Sequence, residues 1–424
     1  MGTQDAIGRE GDGMVGQRSS AHQQVAALLR TASTSLVLDI AFLSRLDGTT
    51  QHLEVVESDL ALPVEDGHTE VQATSLCQAV LDGLYPAVMP DTTVLPGAME
   101  RPAVRDSGLR SFVSVPVVLS DGTVYGTLCA GGFTAAPTLG DAAEVLMRHL
   151  ASVVALIIEP AVRAELDRVA LEARLRPIVD QGGPRIELQP IVDLYTGARV
   201  GAEALSRFPA EWGTAPDVWF AHAHGIGLGH RLELLAIERA AGHLAGVDGY
   251  IAMNVSPATL LTPGCGDLLS RLPLDRLVLE LSEHEPVEDY RALHDVLAPF
   301  RAAGMALAID DVGAGFSSLR HIVNTAPDVI KLDRSIISGV HRDRVLTQLV
   351  RALADFAHGC DVRVVAEGIE EVAEADALGE LGVDYGQGWH YGRPGPPEAL
   401  SRGSLPSVAA GIPVPRRSGV RSAA

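Results

Sequence analysis

Glu203, Asn254, Glu280, the pair Asp310-Asp311, Lys331, Glu367 and Gln387 recur at wide intervals through the second half of the chain. Each stands at or beside the end of a short apolar run. The donors are hard oxygens, with no thiolate and no histidine at these positions, and that set selects Mg²⁺ or Mn²⁺ over zinc or copper. Two adjacent aspartates favour two ions, because one carboxylate can bridge while its neighbour holds the second ion. Paired ions suit in-line attack of a hydroxide on a phosphodiester, with both stabilising charge on the phosphate oxygens. Lys331 adds a separate sign: of 33 basic residues in the chain it is the sole lysine. A position that keeps lysine where arginine serves everywhere else calls for a compact ammonium with rotatable donors. Taken alone, Asn254 and Gln387 could equally cap or tie loops.

Residues so far apart in sequence act together only if strands deliver them to one place. Strand patterns fall at 185–194, 200–208, 250–255, 276–281, 305–310, 329–332, 362–366 and 385–391. Most are separated by helical patterns such as 230–244, 287–303, 344–358 and 372–381. Eight strands with intervening helices over residues 183–402 predict an α/β domain of the (β/α)8, TIM-like barrel type. A doubly wound sheet is the alternative. In a barrel all the strand C-termini open onto one face, so seven of the eight runs would bring their polar ends together there.

The first half has a different rhythm. Residues 20–158 combine an opening helix, strands at 40–46 and 53–56, a short helix at 75–84, a hairpin across Ser120-Asp121-Gly122-Thr123 and a closing helix at 140–158. This predicts an α+β domain with one central sheet. Residues 159–182 read as a linker helix, amphipathic over 161–176, with Pro160 where a helix begins or kinks. It could be a plain spacer or a paired, signal-carrying helix. Residues 1–19 and 403–424 read as a disordered leader and tail.

A net charge of −21 argues against polymeric nucleic acid and anionic membrane as partners, but not against a phosphorylated small molecule held through cations. The longest apolar stretch, 151–158, ends at Glu159-Pro160, short of a membrane span, and no signal peptide is evident. A cytoplasmic protein is expected. The four cysteines are scattered without zinc spacing, consistent with reduced thiols.

Residues 201–208, GAEALSRF, contain Glu203-Ala204-Leu205 and resemble the EAL-domain phosphodiesterases. The resemblance continues through LQPIVDL (188–194), MNVSP (253–257), LELSE (279–283), IDDVGAGFSSL (309–319), IKLDRS (330–335), VAEGIE (365–370) and GQGWHYGRP (386–394). It implies hydrolysis of cyclic di-GMP to linear pGpG by a homodimer. Glu203, Asn254, Glu280 and Asp310 would hold the first metal, with Asp310 bridging to a second held by Asp311. Glu367 would be a metal-linked or general-base glutamate, and Lys331 would contact the attacking water. The resemblance puts Gln189 and Gln387 on the substrate side and Arg207 on a substrate phosphate. Glu283 would anchor the regulatory loop 311–319, which includes Val312 and Gly313 and couples dimerisation to metal binding. Val312 replaces the usual phenylalanine and Val255 a leucine; neither removes a ligand. The former leaves basal rate and dimer coupling open.

Other features have plainer readings. Glu283 and Glu370 suit structural roles, and His222, His224 and His230 suit a solvated surface helix. Gly313-Ala314-Gly315 reads as a flexible turn more than a phosphate loop. In the first half, LDIAFLSRLDG (38–48), SLCQAVLDG (75–83) and RSFVSVPVVLSDGTVYGTLCA (110–130) resemble a GAF domain, which implies a sensory role but leaves its ligand unknown. Cys77 is followed by Gln78, not histidine, so no covalent bilin is expected, and Cys77 and Cys129 read as small buried hydrophobes. A cyclase–phosphodiesterase hybrid is not expected, since residues 1–424 hold no GGDEF-like segment. A catalytically silent cyclic di-GMP receptor remains the alternative to an enzyme.

Overall fold

A computed structural model describes residues 20–282, 286–313 and 318–400. The leader at 1–19, the tail at 403–424, Glu283 and part of the 311–319 loop lie outside the described residues. Two compact units divide between Asp167 and Arg168.

The first unit is built on six strands: β1 (Ile40–Leu46), β2 (Thr50–Ser58), β3 (Thr69–Val71), β4 (Val88–Met89), β5 (Ser111–Val118) and β6 (Val124–Gly132). They form one antiparallel sheet in the order β3-β2-β1-β6-β5-β4. The alternation of β1 explains its two faces. Ala41 and Leu43 face the helix Ser20–Leu36 and the start of the helix Asp141–Asp180, within a core holding Leu29, Met147 and Val154. Ile40 and Phe42 face the other way, into a second core with Leu76, Cys77, Phe112 and Cys129.

The two helices expected on either side of Pro160 are one, Asp141–Asp180, 40 residues long. Pro160 removes one intrahelical N–H, yet Leu156, Glu159, Ala161, Arg163, Ala164, Glu165 and Leu166 are strong helix formers and the helix runs on. By length and composition this helix could cross a bilayer, but Ala143, Met147, Ala151, Val154 and Ile158 are buried in the core of the sheet.

The second unit contains β7 (Arg185–Asp193), β8 (Arg199–Arg207), β9 (Tyr250–Asn254), β10 (Leu277–Ser282), β11 (Ala306–Val312), β12 (Val329–Leu332), β13 (Arg363–Ala366) and β14 (Tyr385–Gln387). They close into a barrel in the order β10-β11-β12-β13-β14-β7-β8-β9. The TIM-like expectation needs one correction: β7 runs antiparallel to both β8 and β14. The reason is length. Leu194 to Ala198 is too short for a crossover helix, so the chain turns back as a hairpin, with Asp193 Oδ1 accepting from the N–H groups of Tyr195 and Thr196. The last strand is also shorter than the pattern at 385–391.

Inside the barrel Ile191, Tyr250, Ala252, Val278, Ala306, Ala308, Val329, Val365 and Tyr385 pack together. The intervening residues, such as Leu277, Leu279 and Leu281 on β10, pack in the larger cluster that includes the helices Gly229–Ala241, Tyr290–Ala302 and Arg344–Gly359. At the strand N-termini two aspartates repeat one device. Asp328, just before β12, accepts from the Leu307 N–H at 2.9 Å and from Arg301 at 2.7 Å. Asp384, just before β14, accepts from the Val364 N–H and His358 at 2.9 Å each and from Arg363 at 2.7 Å. Asp384→Ala strands three donors at once and is expected to cost about 3 kcal/mol. Urea denaturation of the second unit checks this; a loss below about 1 kcal/mol would show the cluster to be solvent-compensated.

Candidate metal centre

The period of two along each strand fixes where the chemistry sits. The residue two beyond an interior packing residue again points inward, one layer nearer the strand end. Ala252 is thus followed by Asn254, Val278 by Glu280, Ala308 by Asp310, Val329 by Lys331, Val365 by Glu367 and Tyr385 by Gln387. Pairing registers bring them level: Asn254 lies beside Glu280, Ser282 beside Asp310, and Gln189 opposite Glu203.

Asp311 breaks the alternation. Adjacent residues on a regular strand face opposite sides, but β11 shifts register between Ile309 and Val312, and Asp311 adopts φ 60°. Aspartate tolerates this left-handed conformation at a cost of about 1 kcal/mol. The distortion brings both aspartates to one site. Carboxylate oxygens of Asp310, Asp311 and Glu367 lie within 4.8 Å of one another, and so do those of Glu203, Glu280 and Asp310. The two groups share Asp310.

Lys331 occupies the middle and is 1% exposed. Its Nζ lies 2.7 Å from Glu367, 3.1 Å from Glu280, 3.2 Å from Asp310 and 3.5 Å from Glu203. Burial would drive its pKa down, but the four carboxylates outweigh burial and hold the ammonium charged, well above its usual range. The carboxylates respond in the opposite sense. Burial, reinforced by like-charged neighbours and only partly relieved by Lys331, raises Glu280 well above a normal glutamate and Glu367 to about 8. Five carboxylates facing one ammonium leave four formal charges to be balanced.

The amides complete the wall. Gln387 Nε2 donates to Glu203 Oε2 at 2.6 Å and to Gln189 Oε1 at 3.0 Å, while Gln189 donates to the Gly392 carbonyl at 3.0 Å. Gln387 Oε1 is buried without a hydrogen-bond partner among the described residues. Asn254 Nδ2 donates to Glu203 Oε1 at 3.2 Å. A Cβ at Gly388 would lie 2.2 Å from the Ile369 backbone, so only glycine lets the chain pass directly behind Gln387. Arg207 is paired with Glu187 at 2.8 Å on the rim.

Two cavities flank the cluster. The larger, about 530 Å³, is bordered by Arg207, Asn254, Glu280, Asp310 and Asp311; the smaller, about 300 Å³, by Gln189, Glu203, Glu367, Gln387 and Trp389. Three wall residues escape a reading from the sequence. Arg334 pairs with Glu370 at 2.9 Å, and Trp389 stacks under the Arg393 guanidinium at 4.2 Å. Both lie in quoted motifs, yet nothing in their spacing marks them. Glu233, on the helix Gly229–Ala241, accepts from the Ser256 N–H at 2.8 Å and its hydroxyl at 2.9 Å, bracing the turn after Asn254. Its other oxygen bonds His224, and His230 bonds Thr259 at 2.8 Å. These two histidines are therefore tied into a network rather than solvated.

The donor set fits a pair of hard divalent cations. All the candidate donors are carboxylate or amide oxygens, the two carboxylate groups share Asp310, and two such ions would balance the four remaining charges.

The EAL domain family model matches residues 169–394, and the GAF domain model matches residues 20–158. An uncharacterized protein of Azorhizobium caulinodans is 31% identical over 57% of this chain and 36% of its own length. The probable cyclic di-GMP phosphodiesterase PdeB of Escherichia coli is 29% identical over 54% of this chain and 46% of its own. The chain thus spans less than half the length of these curated relatives. The solved Xanthomonas citri FimX EAL domain, in complex with c-diGMP, matches with a TM-score of 0.50 at 22% identity, over 55% of this chain and 97% of its own, a likeness of fold. With a family match running over more than half its length, the chain belongs to the EAL domain family and carries a GAF domain ahead of the barrel.

Proposed function

We propose that the barrel hydrolyses one phosphodiester bond of cyclic di-GMP, giving linear pGpG, and that the GAF domain sets its rate. The observation that carries this reading is the convergence of five carboxylates and three amides around a buried lysine, between two cavities that share Asp310. A two-fold dinucleotide has a base for each cavity and a phosphate between them.

Glu203, Asn254, Glu280 and Asp310 would hold one Mg²⁺ or Mn²⁺, and Asp310, Asp311 and Glu367 the other. When bound, such ions lower the pKa of water and neutralise charge developing on the phosphate. The chain's own residues supply the rest. The Lys331 ammonium donates to the attacking water and holds a lone pair toward phosphorus. Glu367, beside Lys331 at 2.7 Å, takes the proton that this water gives up. Arg207, steadied by Glu187, meets a phosphate oxygen from the rim. Gln387, braced by Gln189, fixes Glu203, so that the carboxylate does not swing into the space the phosphate needs. Asn254 holds its other oxygen.

The test is turnover. Purified protein with Mg²⁺ or Mn²⁺ should convert cyclic di-GMP to pGpG, resolved chromatographically, and a chelator should stop it. Tight binding of cyclic di-GMP without product in either metal would replace the enzyme with a receptor.

A further inference from the structure

Cys77 and Cys129 are 52 residues apart in sequence, yet their sulfurs lie 3.3 Å from each other, and both residues are buried. Cys129 projects from β6, on the sheet face away from the long helices, and Cys77 meets it from the short helix Leu76–Leu81.

Their surroundings are not those of two small hydrophobes. Gln51 Nε2 donates to Cys77 Sγ at 3.2 Å. Cys129 Sγ lies 3.3 Å from Ser114 Oγ and 3.2 Å from Thr127 Oγ1, and Thr127 is bonded in turn to Ser44 at 2.8 Å. The other end of the Gln51 amide, Oε1, is buried without a partner among the described residues, so the side chain is held there by its bond to sulfur. The network makes the two thiols unequal. Burial pushes Cys77 up, but hydrogen bonds with Cys129, Thr127 and Gln51 outweigh it and leave this thiol below its usual range. Burial and the neighbouring sulfur hold Cys129 well above.

We propose that Cys77 and Cys129 are a redox-reversible pair that closes to a disulfide inside the GAF domain on exposure to a hydroperoxide. The Cys77 thiolate attacks a peroxide oxygen; the O–O bond breaks, the alcohol or water leaves with the thiol proton, and Cys77 becomes a sulfenic acid. The Cys129 sulfur then attacks the Cys77 sulfur; the S–S bond forms, the S–O bond breaks, and hydroxide leaves as water with the Cys129 proton. Two thiols lose two electrons and two protons, and the hydroperoxide takes up both. A dithiol reductant reverses the change. Closure to a bonded length of about 2.05 Å asks for little movement, and its carrier is a helix of only six residues. Hydrogen peroxide is the size of water and enters by local opening of such short elements. The bond would tie this helix to the centre of the sheet.

The test uses the full chain with Cys360→Ser, since Cys360 is the exposed cysteine and could link molecules. The protein is treated with graded hydrogen peroxide, alkylated in denaturant without reductant, and mapped by mass spectrometry. Met99, half exposed, serves as the internal measure of dose. The expected result is a Cys77–Cys129 cross-linked peptide, lost with dithiothreitol, at doses that leave buried Cys265 alkylatable. The first unit should melt about 5 °C or more higher when oxidised. In Cys129→Ser, Cys77 should stop at a sulfenic acid trapped by dimedone. The main readout needs no substitution at either thiol, so it does not depend on the variant folding. A pair that stays fully alkylatable at doses that oxidise Met99, or that proceeds to sulfinic acid without a cross-link, overturns the proposal.

Discussion

Lys331→Met is expected to lower kcat for cyclic di-GMP by about 10³-fold or more, and Lys331→Arg is expected not to restore it. The ammonium reaches Glu367, Glu280, Asp310 and Glu203 within 2.7 to 3.5 Å from a position 1% exposed. A planar guanidinium carries its charge further out and cannot turn three donors toward a cluster closing around one point. Methionine matches the stem but leaves the buried carboxylates without their cation. The metal-free variant should therefore also lose stability, by about 3–5 kcal/mol near neutral pH. The loss should shrink at acid pH, where the carboxylates are protonated and no longer need the ammonium. Steady-state kinetics at saturating metal and thermal melts of the chelated protein at two pH values check both parts. An arginine variant within fivefold of wild type would show that only the charge matters, and the significance read into the chain's single lysine would fall.

What could be read from the sequence divides along physical lines. Strand ends were legible because interior strands are short apolar runs, and a polar residue two beyond the last interior one breaks the run visibly, as Glu280 does after Val278 and Lys331 after Val329. The inverted β7 was less so: its composition is that of any interior strand, and only the short link from Leu194 to Ala198 carries the information. The twin roles of Asp310 and Asp311 were suggested by adjacency, but the backbone distortion that turns both to one site leaves no trace in residue type beyond aspartate's tolerance of φ 60°. Contacts between distant side chains were out of reach. Glu233 carries no signal in its spacing, yet it is 6% exposed and braces Ser256. Cys77 and Cys129 read as small hydrophobes because one sequence does not say which residues of a sheet face meet. The continuous helix through Pro160 shows the converse, a strong local signal overridden by its flanks.

Metal binding to the centre is expected to strengthen steeply with pH, by roughly 100-fold between pH 6 and pH 8. The direction follows from the carboxylates. In the metal-free chain Glu367 titrates at about 8 and Glu280 is also raised well above its ordinary value. A cation binds the ionised carboxylate, so below pH 8 each binding event must first displace a proton from Glu367, and its apparent affinity falls tenfold per pH unit. The same shift fixes the sign of stability. A carboxyl raised in the folded state binds its proton more tightly there than in the unfolded chain, so the metal-free barrel loses stability as pH climbs from about 4.5 toward 8. Added Mn²⁺ reverses that loss. The thermal shift on adding Mn²⁺ should then be small at pH 6 and largest above pH 8, and binding in weakly buffered solution should release protons that calorimetry in two buffers can count. Mn²⁺ affinity that is flat across this range, with no proton released, would mean that Lys331 alone keeps the cluster ionised and that the repulsion among its carboxylates has been overstated. Glu367→Gln separates the two possibilities. Without the titrating carboxyl, the residual pH dependence of binding should fall by about one proton, whatever becomes of turnover.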